Sequence, residues 1–339
     1  MMESEDIRID RSIIHILDSS VGVPVLSDGE LEHGSDFGDF LRGHILRIAG
    51  SDEVKNCSFD KEESGIYPLL LEWKDENFAE ISRQIATELY TIMNGNIDIP
   101  AADLLVVQYS VEQHPHLALL KMNYKSSYTH MTNSDPWGNH NDVIKYKAIL
   151  PGEKQKLAEA ALISLEDYSI RLIEKKYEVN GVKTNYFSSL FLKCRGSMSP
   201  KTKLAIVNRT VMDVQKKYYD ESEQFEVQME AKSIINQELS EKGSLDVPTV
   251  IDRIFKDQEE MKEEVQEKLE KWNITDTPVA PQNPATTRKF EKQHLLTDTG
   301  IEIKIPMEAY HNKNMIEFLT NPDGTISVLI KNVGKIESR

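Results

Sequence analysis

Apolar residues fall in short runs and alternations up to about residue 198 and recur every three or four positions from Ser199 onward. The chain therefore reads as a mixed strand-and-helix front followed by a helical middle. In the front, Ile7, Ile9, Ile13, Ile14, Ile16 and Leu17 predict a β-branched strand, and Phe37, Leu41, His44, Ile45 and Ile48 fall at helical spacing between Asp36 and Ile48. A second helix is predicted from Asn77, with Phe78, Ile81, Ile85, Leu89 and Ile92 on one stripe that stops at Asn94-Gly95. Leu104 to Val111 and His116 to Tyr124 read as strands of a hairpin broken at Glu112 to Pro115, and Val143 to Leu150 as a further strand. Lys156 to Tyr177 fits helix or strand by period alone. The Asn180-Gly181 pair, which supports the positive dihedrals of a tight turn, favours strands.

Ser199 is suited to cap a helix and Pro200 to occupy its first position, after which Leu204, Val207, Val211, Val214 and Tyr218 form a stripe. A further helix is predicted from Glu223 to Lys242, closed by Gly243, and a third after Asp246 with Val250, Ile254, Met261, Val265, Leu269 and Trp272 as its apolar face. That long stripe also allows a homodimer contact. Residues 275–289 hold Pro278, Pro281 and Pro284 among small polar residues, the composition of a semi-extended linker. Beyond it, Ile301 to Ile305, Met315 to Leu319 and Thr325 to Lys331 read as strands, the last two joined at Asn321-Pro322-Asp323-Gly324. The expected architecture is α+β. It has a mixed sheet-and-helix N-terminal domain (1–190), a helical region (191–274), a Pro-rich linker (275–289) and a small β-rich C-terminal subdomain (290–339).

Composition narrows the function classes. The 39% apolar and 28% charged residues are those of a globular chain, and no apolar run reaches the roughly 18 residues of a spanning helix. The acidic N-terminus lacks a signal-peptide pattern, so a cytoplasmic location without membrane contact is expected. Cys57 and Cys194 form no CxxC or Cys/His array, and both are expected reduced. A net charge of −16 argues against a chain-wide nucleic-acid surface. The excess is amino-terminal, however: the first 150 residues hold 12 basic against 25 acidic residues.

Between positions 193 and 217 the balance reverses, with Lys193, Arg195, Lys201, Lys203, Arg209, Lys216 and Lys217 set against Asp213 alone. At about 100° per residue, Lys201, Arg209 and Lys216 share one helix face opposite the apolar stripe. Lys193, Arg195, Gly196 and Ser197 precede the capped helix start, where free N–H groups and the helix dipole favour an anion such as phosphate. An ordinary solvated lysine face is the competing reading.

Catalytic signatures are absent: there is no phosphate loop, dinucleotide glycine motif, HExxH or GxSxG elbow. Asp298 with Glu302 and Lys304 resembles a nuclease metal pair, but the carboxylates are too close in sequence for separate strands, and alternation with Ile301, Ile303 and Ile305 explains them as outward polar positions. His114 with His116, and His140 with Asp142, lack a third partner. Cys194 sits beside Lys193 and Arg195, which would lower its thiol pKa if they face it. No catalytic residue, metal ligand or cofactor is assigned.

The segments Ile13 to Leu17, Ala102 to Val107 with Leu117 to Tyr124, Tyr186 to Gly196, and Asn321 to Ile326 with Ile330 to Asn332 resemble, in their order, the bacterial nucleoid-associated protein (NdpA-like) family. The resemblance spans nearly the whole chain and carries no catalytic motif. It implies a non-catalytic protein located on the nucleoid. Two mechanisms fit: weak, sequence-nonspecific binding of double-stranded DNA through residues 193–217, or an acidic adaptor docked on a nucleoid enzyme such as a type II topoisomerase. A nuclease ranks third. Neutralising about four phosphates would give a log-log salt slope near −3.6.

Overall fold

A computed structural model describes residues 3–337 except 33, 311, 322 and 323. The architecture is α+β, and the chain forms two compact units, Met1–Met198 and Ser199–Arg339. The first unit runs β1 (Ile7–Leu17), α1 (Ser35–Ala49), β2 (Lys55–Phe59), α2 (Ile66–Leu71), α3 (Phe78–Asn94), β3 (Ala102–Val111) and β4 (His114–Asn123). It continues with β5 (Lys125–Asp135), β6 (Gly138–Ile149), β7 (Glu159–Ser164), β8 (Ile170–Ile173), β9 (Tyr177–Val179) and β10 (Val182–Thr184). A π-helical turn (Phe187–Leu192) and β11 (Cys194–Gly196) complete it.

Seven of these strands make one antiparallel sheet in the order β1-β3-β4-β7-β8-β2-β11. The two faces of β3 and β4 bury different halves of the same apolar runs. Leu104, Val106, Leu117 and Leu119 join Phe78, Ile85 and Leu89 of α3, whereas Leu105, Val107, Ala118 and Leu120 join Leu41, Ile45 and Ile48 of α1. Each fully buried aliphatic side chain contributes about 1.5–3 kcal/mol, so a helix on each face is the arrangement these sequences favour. The β3–β4 turn places Glu112 and Gln113 at φ 50° and 72°, the doubly left-handed geometry of a primed hairpin turn without the customary glycine. At the β9–β10 turn, Asn180 and Gly181 adopt the positive dihedrals expected from the sequence.

Two buried polar groups inside this layer have partners. Lys121 and Glu159, directly opposite on β4 and β7, are wholly buried and 3.4 Å apart. The lysine also donates to the Pro100 carbonyl at 3.1 Å and to Asn123, whose amide donates to Glu159 at 3.0 Å. Burial pushes the lysine down to about 8, against the pull of Glu159. His15 is buried as well. Its Nδ1 accepts from the Ser27 amide at 3.2 Å, so the neutral ring carries its proton on Nε2 and donates to Ser82 Oγ at 3.1 Å.

The second unit begins with α4 (Pro200–Tyr218), α5 (Glu221–Lys242), α6 (Val247–Ile254) and α7 (Glu259–Glu270). It ends with α8 (Pro284–Glu291), β12 (Lys292–Leu296), β13 (Glu302–Pro306), α9 (Met307–Tyr310), β14 (Ile316–Thr320) and β15 (Ile326–Ile330). α4 packs on α5 and α7 through Leu204, Val207, Val211 and Val214, all buried. Gly243 closes α5 at φ 68°. The single helix expected after Asp246 is two, because the chain leaves helical geometry at Phe255 and re-enters after Gln258. Val250, Val265 and Leu269 are buried, while Trp272 is exposed.

Residues 275–289 are more ordered than a spacer. Val279 bridges Leu245, and the Asn283 side chain accepts from the Ala285 amide to start α8. The helical and β-rich segments thus fall in one compact unit. β12 pairs with β13, a strand the sequence pattern did not indicate, and β14 pairs with β15. Of the turn joining that last pair, Pro322 and Asp323 lie outside the described residues, while the Gly324 amide donates to the Asn321 carbonyl at 2.9 Å.

Burial lowers the His15 pKa to about 4, with Arg83 adding to the effect. The unfolded ring titrates near 6.5, so the unfolded state binds the extra proton between those values. The stabilisation is complete above about pH 6.5 and is lost as pH falls toward 4, by about 3 kcal/mol. Urea unfolding at pH 5 and pH 7.5 should show this loss in the parent and a smaller one in His15→Gln; an equal loss in both contradicts the assignment.

Candidate functional site

The cationic stretch divides between the units, with Lys193 and Arg195 in the first and Lys201, Lys203, Arg209, Lys216 and Lys217 in the second. In the first, Lys193 ends the π-helical turn in the left-handed region, φ 45°, and its carbonyl accepts from the Asp60 amide at 2.8 Å. Its side chain is exposed. Arg195 is 83% exposed with Nη2 2.9 Å from Asp60. Gly196 pairs with Cys57 across β11 and β2, and the Ser197 amide donates to the Asn56 carbonyl at 3.0 Å. A Cβ on Gly196 would stand 2.3 Å from the Asn56 carbonyl oxygen and 2.4 Å from Cys57 Sγ. The glycine therefore serves strand packing.

Cys57 and Cys194 are free and buried, and their thiols meet. Hydrogen bonding to Cys57 and burial push the Cys194 thiol up. The lowering considered for a thiol flanked by Lys193 and Arg195 does not occur, because those side chains point to solvent while the thiol points inward.

In the second unit the start of α4 is largely satisfied from within. Ser199 Oγ accepts from the Thr202 amide at 3.3 Å, and Pro200 has no N–H to offer. Anion attraction at this end rests more on side chains than on open backbone donors. Lys201, Arg209, Lys216 and Lys217 are exposed and Lys203 is half-buried. Arg209, 84% exposed, stands 3.5 Å from Asp213. Lys217 is held at 2.6 Å by Glu264 of α7, which also takes Lys268 at 2.7 Å and the Tyr218 hydroxyl at 3.0 Å. Those hydrogen bonds, Lys217 first, bring the Glu264 carboxyl down to about 2 and raise Lys217.

Two participants escaped the sequence reading. Glu264 lies 47 positions from Lys217 and meets it only because α7 packs on α4. Lys289 of α8 is the other. Its pKa is lowered by burial and then by the charge of Lys201. The Arg288-Lys289 pair was visible in the sequence, but within a stretch read as spacer.

The remaining candidates stay dispersed. His114 pairs with Glu166 at 2.9 Å, which raises its pKa, while His116 stacks on Tyr109 with ring centres 5.1 Å apart. His140 lies 3.4 Å from Asp135. Glu302 and Lys304 face outward on β13, opposite Leu296 and His294. Among the described residues, no three His, Cys, Asp or Glu side chains are grouped to hold a metal ion, and no helix is long and apolar enough to cross a membrane.

The profile of the family described as nucleoid-associated protein YejK matches residues 13–337, and the chain belongs to that family. No curated protein matches it significantly.

The role given to Gly196 has a direct consequence. Gly196→Ala must displace backbone as well as Cys57, and is expected to cost about 1–3 kcal/mol. A urea midpoint equal to the parent's would contradict that role.

Proposed function

We propose that this member of the nucleoid-associated family makes weak, sequence-independent contact with double-stranded DNA through the outer face of α4, and that it does so without catalysing a reaction. One observation carries the reading: Lys201, Arg209 and Lys216 are exposed on α4, while Leu204, Val207, Val211 and Val214 are buried. The helix thus presents to solvent the positions at which the sequence concentrates positive charge. Lys203 extends the candidate phosphate set on this helix, while Lys193 and Arg195 offer exposed cations of their own in the first unit.

Pre-existing carboxylate pairs do not remove this capacity. Exposed ion pairs are worth about 0–1 kcal/mol, so Arg209 and Arg195 exchange Asp213 and Asp60 for phosphate at little cost. Lys217 differs, because Glu264 is itself anchored by Lys268 and Tyr218. Counterion release then supplies most of the affinity.

The charge distribution favours a second reading. With 25 acidic against 12 basic residues in its first 150, the chain is suited to steering toward a basic protein partner such as a type II topoisomerase. Such an adaptor needs no DNA contact of its own.

Titrating nucleic-acid-free protein against a short duplex at low salt should give binding that K201E/R209E/K216E weakens at least about tenfold, with an unchanged circular dichroism melt. Parental affinity in the triple variant would end the α4 proposal. Topoisomerase capture that survives nuclease treatment would then support the adaptor.

A further inference from the structure

β5 and β6 form a two-stranded sheet of their own, in which every residue of β5 and all of β6 except Ile144 is exposed. A lone two-stranded ribbon is marginally stable in water, so one with ten paired positions and no cover on either face is suited to receiving a partner.

The two faces are chemically unlike. One sets Tyr128 opposite Lys145, His130 opposite Val143 and Thr132 opposite Asn141, and it holds no carboxylate. Lys145 lies over the Tyr128 ring, 5.7 Å from its centre. The Thr132 and Ser134 hydroxyls donate to the side-chain carbonyls of Asn141 and Asn139, each at 2.7 Å. Those two asparagines keep their amide N–H groups as donors. The opposite face carries Asp135 and Asp142 together with Met131 and Tyr146. At the tip, Trp137 is 92% exposed, and its amide donates to Asp135 at 2.8 Å.

We propose that the acid-free face of this ribbon lies in a groove of duplex DNA, with Asn139, Asn141 and Lys145 as its donors and Trp137 against the duplex at the tip. The proposal rests on the DNA reading above and adds a second contact element, in the first unit. A face rich in donors and free of carboxylates complements the acceptors of phosphates and base edges, and it stands out in a chain of net charge −16. Strands about 4.8 Å apart fit a major groove about 12 Å wide. Ten paired positions span about 30 Å, close to one duplex turn. A second copy of the chain is the weaker occupant, because the ribbon's apolar residues are split between its faces and neither offers an uncharged apolar centre.

The test compares charge-matched changes on the two faces. N139D/N141D alters the acid-free face, T129D/N133D the other, and both sit on exposed positions. Anisotropy with a short duplex should show N139D/N141D weakened about tenfold and T129D/N133D far less. Trp emission should change on duplex addition in the parent and not in W137F. Equal losses from the two faces, or none from either, overturn the proposal. So does a sedimentation result in which N139D/N141D dissolves a dimer and leaves DNA affinity intact. If K201E/R209E/K216E loses binding while N139D/N141D does not, the ribbon assignment fails and the α4 reading stands. If the parent itself binds no duplex, both fail.

Discussion

Burial of β3 and β4 on both faces at once governs what the rest of the first unit can be. Leu104-Leu105-Val106-Val107 and Leu117 to Leu120 have no polar side to give to water, so α1 and α3 must cover opposite faces of the sheet. A polar group in that layer is costly unless paired, and two of them are paired inside it. Lys121 meets Glu159 and Asn123, and His15 meets Ser27 and Ser82. A lone buried charge would cost several kcal/mol, which accounts for the pairing of lysine with glutamate at directly opposed positions. With the apolar requirement met there, segments outside the sheet are free to stand exposed on both faces, as β5 and β6 do.

Electrostatics in the second unit follow a different rule. α4 buries one stripe and exposes cations, but α7 brings its own carboxylates alongside and takes Lys217 out of play through Glu264. The outcome is a cationic face of limited strength, trimmed by neighbours that the same packing supplies. Such a face is suited to reversible, salt-sensitive contact, in keeping with a nucleoid-associated family and with a chain whose total charge is −16.

Much of this was legible from apolar spacing. β1, α1, α3, the β3–β4 hairpin and α4 each carry an uninterrupted stripe or run, and the Asn180-Gly181 turn announced itself by residue type. β5 was not legible, because its exposed residues supply no apolar run, whereas Val143 to Leu150 marked its partner β6. The break between α6 and α7 was hidden because Val250, Val265 and Leu269 keep helical spacing across it while Phe255 to Gln258 turn the chain. The cations of the candidate site were visible, and so was their common face. Their neutralising partners were not, since Glu264 reaches Lys217 through helix packing, and Arg195 meets Asp60 across 135 positions of sequence.

The central claim is that cation-to-phosphate exchange draws this protein to DNA, and its clearest measure is the dependence of duplex affinity on salt. The account predicts a straight log-log plot with a slope between about −3 and −4, as about four displaced counterions require. A slope near zero, or no affinity at low salt, would contradict it.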